Sequence, residues 1–254
     1  MPPISAVIIA KDEEERLPDA LRSVAFCDEV LVVDAGSSDR TQELARAAGA
    51  RVLVHAPWPG YVAQRNYASD CASHDWVLAV DADERVTPAL RAEIETLRDR
   101  GLPHAGYRIP RAAHYLGRFI RGTDWYPDPQ LRLYDRRRGR WQGALVHESV
   151  RVDGPVGRLR GDLEHYTYRD VSHHLQTIDR YTTLWAEQAY LEGRRAGALT
   201  AAFTCGWAFF RNYVLKGGFL LGSAGFTVST LNAYYTFAKM AKLAERARAA
   251  ATRE

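Results

Sequence analysis

The chain has 254 residues, with 34 Lys and Arg against 31 Asp and Glu, for a formal net charge of +3 at pH 7. Its 46% hydrophobic and 26% charged content excludes a disordered or fibrous protein, and the length suits one large α/β domain or a domain with an appendage. Three cysteines, at 27, 71 and 205, fall at no metal-ligand spacing and exclude a disulfide scaffold. Met1–Ser5 holds no basic residue and Ala6–Ala10 is too short for a secretory leader, so a cytoplasmic enzyme is the expectation.

In chain order, Ser5–Ala10 reads as a buried strand and Glu13–Val24 as a helix, with Leu17, Leu21 and Val24 at helical spacing. Glu29–Val33 is the next strand, Asp39–Ala48 a helix stopped at Gly49, and Arg51–Val54 a third strand. Gly60–Ser69 reads as a helix and Trp76–Val80 as a fourth strand. This alternation predicts βαβ units and a mostly parallel sheet. From Gly101 to about Asp170, short β-like pieces (Gly106–Ile109, Gln130–Tyr134, Ser149–Val152) lie among Gly, Pro and Arg, as in a mixed sheet with long functional loops. From Val171 the pattern is helical. The expected organisation is thus a nucleotide-sugar half over 1–100, an acceptor and catalytic half of the same domain over 101–170, and a helical region over 171–254.

Charge divides along the chain. Residues 1–100 hold 11 basic and 18 acidic side chains (net −7), and residues 101–254 hold 23 and 13 (net +10). The acidic part suits metal chelation and the basic part an anionic substrate or membrane surface. No nucleic-acid motif accompanies the arginines, so nucleic acid is not an expected partner. Gly217–Ala238 carries no charge over 22 residues, but its glycines and hydroxyl residues make it weakly hydrophobic. A surface-lying or re-entrant hairpin is expected in preference to a spanning helix, with a helical pair covering the sheet as the alternative.

Asp81-Ala82-Asp83 follows an apolar strand directly, where ligands of open α/β sheets bind. Two carboxylates one residue apart on extended backbone repel, and a hard divalent cation bridging to a diphosphate resolves the repulsion. Asp34 also ends a strand, and its carboxylate can accept from a nucleobase N–H or a ribose hydroxyl; Asp39 is read as a helix cap. No G-x-G-x-x-G fingerprint and no Walker lysine is present, which argues against NAD enzymes and P-loop kinases.

SAVIIAKDEE (5–14), VVDAGSSDRT (32–41) and AVDADE (79–84) resemble three successive motifs of the family-2 glycosyltransferases, which have the GT-A fold. GYVAQRN (60–66), PQLRLYDRR (129–137), LVHESV (145–150) and FFRNYVLKGGFLLG (209–222) resemble the branch that adds glucose to the lipopolysaccharide inner core. The resemblance implies nucleotide-sugar contacts from Ala10, Glu13, Asp34, Arg65, Asp81 and Ala82. Asp34 would hold the uracil edge, and Asp83, with Asp81, would ligate Mg²⁺ or Mn²⁺. Asp12 stands where the family often has Asn.

Family-2 enzymes also place an acid after the metal motif, and Glu148 is the candidate base; partial burial in its apolar-flanked His-Glu pair would raise its pKa. Asp124 and Asp128 are reserve candidates. Arg132, Trp125 and His147 are the expected acceptor or phosphate contacts, with His147 or His165 also able to orient the base or complete a metal shell. Arg136, Arg137, Arg138 and Arg140 form either a solvated turn or a contact to anionic lipid.

The implied activity is an inverting, metal-dependent transfer from a UDP-sugar, expected to be UDP-glucose, to a lipid-anchored glycan. The enzyme would be peripheral on the inner face of the cytoplasmic membrane, with a homo-oligomer compatible. A polyprenyl-phosphate or exopolysaccharide acceptor, and a nucleotide-sugar-binding protein without turnover, are the alternatives.

Overall fold

A computed structural model describes residues 1–143 and 148–251. In chain order the elements begin with β1 (Ile4–Ala10), α1 (Leu17–Val24), β2 (Glu29–Asp34), α2 (Thr41–Ala47), β3 (Arg51–Val54), α3 (Tyr61–Cys71) and β4 (Trp76–Asp81). They continue with β5 (Glu84–Val86), α4 (Pro88–Asp99), β6 (Gly106–Tyr115), β7 (Arg118–Ile120), β8 (Asp128–Asp135), β9 (Gly139–Gln142), β10 (Ser149–Val152), β11 (Val156–Arg158) and β12 (Leu163–His165). The helices α5 (Val171–Leu191), α6 (Ala198–Phe210) and α7 (Gly222–Ala251) follow.

The main sheet runs β3-β2-β1-β4-β8-β6-β12-β5. Its first four strands are parallel, as the βαβ pattern predicts, and β8 and β6 extend it antiparallel. Alternation along β1 fills both faces. Ile4, Ala6 and Ile8 pack with Leu17, Leu21 and Val24 of α1, and Val7 packs on the other side with Leu31, Val77 and Tyr134. Chain order reverses at β1, which has β2 on one side and β4 on the other, and at such a switch point the strand ends leave a crevice for a ligand. Register brings Asp34 opposite Ala10 and Asp81 opposite Ile9, so both residues stand at the strand ends that border the crevice.

The first helix begins at Leu17 rather than Glu13. Pro18 is favoured in a first turn and costly further in, and residues 13–16 form a turn in which the Glu13 carbonyl accepts from Arg16 and Leu17. The chain forms two compact units, Met1–Ala112 with Asp128–His165, and Ala113–Pro127 with Tyr166–Glu254. Residues 113–127, read with the catalytic half from sequence, thus group with the helices.

In the second unit, α6 is followed by a π-helical turn (Arg211–Leu215), a 3₁₀ turn (Gly218–Leu221) and then α7. No single helix among the described residues is long and apolar enough to cross a membrane; the two arms, Ala198–Leu215 and Gly218–Ala250, are bent by 68°. Gly217 takes a left-handed φ of 69° at the break, a conformation glycine adopts without a Cβ penalty.

Candidate active site

Two loops from adjacent strand ends clasp each other beside the crevice. Asp12 has φ 54°, a left-handed position that Asp and Asn tolerate better than most residues, which accounts for the Asp in a place where the family often has Asn. Its carboxylate accepts from the Ser38 amide at 2.7 Å, and its own amide donates to Ser37 Oγ at 2.8 Å. The Glu13 amide donates to Thr41 Oγ1 at 2.8 Å and the Glu14 amide to Asp39 at 3.0 Å. Asp39 also accepts from the Thr41 amide at 2.9 Å, a local turn one residue before Arg40, which is the N-cap of α2 and has no side-chain cap bond, so Asp39 is not the cap that the sequence suggested.

Asp34 is fully buried. Its Oδ1 accepts from the Gly36 and Ser37 amides, both at 2.9 Å, and from Gln42 Nε2 at 2.8 Å, while its Oδ2 accepts from the Ser37 hydroxyl. Its first task is to shape the turn, and Gly36 completes that turn at φ 85°.

Asp81 and Asp83 do not share one direction, because the chain turns at Ala82 and Asp83 before β5 begins. The extended geometry expected for the D-x-D pair is therefore absent, and two arginines flank the Asp81 carboxylate. Asp81 Oδ1 lies 2.6 Å from Arg65 and Oδ2 accepts from Arg132 at 2.6 Å. Burial by itself would push the Asp81 carboxyl up, but the two guanidiniums prevail and hold it well below the usual carboxylate range. Arg132 is buried likewise, and Asp81 and Glu84 outweigh the desolvation of its cation and keep it firmly charged.

Glu84, fully buried, ties the cluster together. Its Oε1 accepts from Arg132 at 2.6 Å and from Arg111 at 3.3 Å, and its Oε2 accepts from the Asp81 amide at 3.0 Å. Arg111 in turn forks onto Asp128 Oδ2 at 2.6 and 3.0 Å.

Trp141 is the platform under the arginines. The Arg65 guanidinium lies 4.4 Å from its ring centroid and that of Arg132 lies at 5.8 Å. Asn66 and the Trp141 backbone exchange two hydrogen bonds at 3.0 Å, while the indole N–H donates to Tyr134 Oη at 2.9 Å. The Nε atoms of Arg65 and Arg132 are buried without a hydrogen-bond partner among the described residues. These groups floor a cleft of about 490 Å³ whose lining also includes Arg108, Gln130 and Glu148.

Asp83 faces away from the arginines of the floor, with His165 Nε2 at 3.3 Å and Arg16 at 3.7 Å. No group of three metal-capable side chains occurs among the described residues. A carboxylate and an imidazole nevertheless suit an ion that draws its other ligands from a diphosphate and water.

The structure brings Arg65, Asp81, Arg132 and Glu148 to one cleft and sets Ala10, Asp34 and Asp81 at neighbouring strand ends. His147 lies outside the described residues. Trp125 belongs to the second unit, where its ring packs on Tyr115, Tyr168 and His174 and its indole N–H donates to Asn232. Asp124, also there, is engaged by Arg211, by Asn212 at 2.8 Å and by Lys216 at 2.9 Å, which leaves it ill-suited to accept a substrate proton. Arg137 pairs with Asp135 and Asp75, Arg140 with Asp70, and Arg136 bonds the carbonyls of Ser69 and Asp70, so these three form the charged turn rather than a free patch. Sequence reasoning missed Arg111 and Trp141. Gln130 and Arg132 alternate with Leu131 and Leu133 along β8, whereas Arg111 stands between Pro110 and Ala112 on β6, where no such alternation marks it.

The sequence pattern of Glycosyl transferase family 2 matches residues 5–167. The chain is 32% identical over 250 residues to the lipopolysaccharide core biosynthesis glycosyltransferase LpsC of Rhizobium meliloti, covering 96% of this chain and 93% of that protein. It is 32% identical over 260 residues to an uncharacterized glycosyltransferase of Rickettsia typhi, covering 96% and 88%. Among solved structures, glucosyl-3-phosphoglycerate synthase of Mycobacterium tuberculosis, crystallised with Mn²⁺, UDP and glucosyl-3-phosphoglycerate, is 26% identical with a TM-score of 0.34, covering 46% of this chain and 45% of that one. The chain belongs to glycosyl transferase family 2 and is a glycosyltransferase.

Proposed function

We propose that the chain transfers a sugar, glucose being the expected one, from a UDP-sugar to a lipid-anchored glycan of the lipopolysaccharide inner-core type, with inversion and with a divalent cation. The observation that carries this reading is the separation of duties at the end of β4. Asp81 anchors two cations in the cleft, and Asp83 stands apart with His165. The name of the Rhizobium relative supports the choice of acceptor.

Asp83 and His165 would hold Mg²⁺ or Mn²⁺, which when bound supplies positive charge to the departing diphosphate. Arg65 and Arg132, already desolvated and braced on Trp141, offer N–H donors to phosphate oxygens with little reorganisation. The clasped loops at Ala10–Glu14 and Asp34–Thr41 form the nucleotide end, with Ala82 beside the ribose and Asp34 holding the turn toward the base. The acceptor oxygen attacks the anomeric carbon, a glycosidic bond forms, and the bond from that carbon to the diphosphate oxygen breaks with UDP leaving. Glu148, half-buried in the cleft lining, takes the hydroxyl proton.

Calorimetry with a panel of nucleotide sugars, each with Mn²⁺ and with EDTA, tests the donor and the metal together. UDP and one UDP-sugar should bind in the presence of metal, and EDTA or Asp83→Ala should weaken binding strongly. Equal affinity with and without metal would sink the proposal.

A further inference from the structure

The second unit exposes an apolar face that the glycosyl-transfer reading does not use. On α6 and the π-helical turn after it, Leu199, Phe203, Trp207, Phe210 and Val214 follow one another at intervals of three and four residues, which puts them on one side of the helix. All five are solvent-exposed, Leu199 at 88% and Phe203 at 75%. The opposite side, with Ala201, Ala208 and Asn212, is buried. At the break before α7, Leu215, Phe219 and Leu220 are also exposed, Leu220 at 74%. A helix that buries its small residues and presents its largest apolar ones to water invites a partner.

Charge says which partner. From Gly193 to Ala244 the chain has six basic residues, Arg194, Arg195, Arg211, Lys216, Lys239 and Lys242, and no Asp or Glu over 52 residues. Arg194 and Arg195 precede the apolar stripe, and Arg211 and Lys216 fall at its far end. Asp124 neutralises one charge of the Arg211 and Lys216 pair, Glu192 pairs with Arg194 and Asp179 with Lys242, so the excess that remains is carried by Arg195, Lys239 and one of Arg211 and Lys216. Two copies of such a face would bring like charges together, whereas an anionic lipid surface accepts both the apolar stripe and its cationic ends.

Burial of only one side, with Asn212 bonded to Asp124 and Asn232 behind it, fits a helix lying in the plane of the interface and not one surrounded by acyl chains. We infer that the Leu199–Val214 face, with the Leu215–Leu220 bend, docks the protein peripherally on an anionic phospholipid surface. This deepens the lipid-anchored-acceptor reading, and its test measures lipid binding rather than turnover, so the two can fail separately.

The experiment is flotation of the full chain with vesicles of phosphatidylcholine alone or with phosphatidylglycerol added. The chain should float with the anionic vesicles, less so at high salt but not zero. The double variant Leu199→Ser with Phe203→Ser removes two exposed side chains and should keep its melting temperature and UDP binding. Its partition coefficient should fall at least about tenfold. Arg194→Glu with Arg195→Glu should weaken binding to anionic vesicles alone. Three results overturn the inference: an intact chain that stays in the aqueous fraction with both compositions, a double variant that binds like its parent, or a solution dimer that the double variant converts to monomer without either binding lipid.

Discussion

At the scale of single residues, the cleft spends carboxylates to hold arginines. Each oxygen of Asp81 faces a guanidinium, and Glu84 bonds two arginines and a backbone amide. Asp81→Asn should therefore act first on the cleft floor. It leaves Arg65 without the carboxylate it pairs with and Arg132 with Glu84 alone, and loss of one partner of a buried pair costs roughly 3–5 kcal/mol. A large fall in melting temperature, together with weakened UDP binding, is the expected result by calorimetry; unchanged stability would show that the arginines find other partners. Because Asp81 is depressed in the folded protein, its stabilisation is fully present above the unfolded value of about 4 and is lost only in strong acid, as pH falls through the folded value. Glu148 is a further acid in the lining of the same cleft. Glu148→Gln should leave donor affinity nearly intact and lower kcat by about 10²–10⁴. Near-normal turnover would move the base to Asp128, whose carboxylate is already bound by Arg111 and Gln130. The sequence pointed to Asp81, Arg65 and Arg132 because motif and strand alternation name them. It was silent on Trp141, since the stacking of two arginines on one ring depends on β8, β9 and α3 meeting, and no local pattern encodes that meeting.

Among elements, the helical unit is organised around a histidine that titrates unusually. His174, on α5, is 3% exposed; its ring stacks on Tyr168 at 4.0 Å, and its Nδ1 lies 3.2 Å from Tyr115 Oη. Burial, reinforced by the neighbouring His173, pushes its pKa down to about 4. The folded protein thus binds fewer protons than the unfolded chain between pH 6.5 and about 4, so acidification across that window removes stability, by roughly 3 kcal/mol in all, and the loss levels off below it. Trp125, 5.5 Å from His174, supplies a fluorescent reporter of this unit. Denaturant titrations at pH 7 and pH 5 should show a lower midpoint at pH 5, and His174→Phe should flatten the difference even though it loses the Tyr115 contact. An unaltered pH dependence in the variant would place the titration elsewhere. Periodicity located the parallel strands well, because each is a short apolar run, and it marked the chain after Val171 as helical without dividing it into α5, α6 and α7. It missed the length of β6, which runs ten residues to Tyr115 through Pro110 and a register shift at Tyr107/Arg108, since both features interrupt the alternation that marks a strand.

For the whole molecule, the uneven charge read from sequence has a kinetic consequence. Net −7 over residues 1–100 and +10 over residues 101–254 place the attraction for anions in the later part of the chain. Ion pairs within the charged turn consume part of that excess, as Arg137 and Arg140 show, and of the six cations in Gly193–Ala244 some pair with Glu192, Asp124 and Asp179, which leaves a smaller net positive charge there. Long-range attraction of this kind raises the rate of encounter with an anionic partner and is screened over a Debye length of about 10 Å at 0.1 M salt. In the proposed mechanism the chemical step takes place among groups that are already desolvated, such as Arg132, and is screened far less. Steady-state kinetics with an acceptor presented on anionic vesicles should show KM rising about threefold or more as salt increases, while kcat stays level. The same sugar acceptor freed from lipid should show a nearly salt-independent KM, because it lacks the surface that the cations meet. A fall in kcat with both acceptors would instead mean that salt acts on Arg65, Arg132 and the donor diphosphate within the cleft. Equal rises in KM for both would place the attraction at the glycan itself, in the arginines that line the cleft, and remove the membrane surface from the encounter.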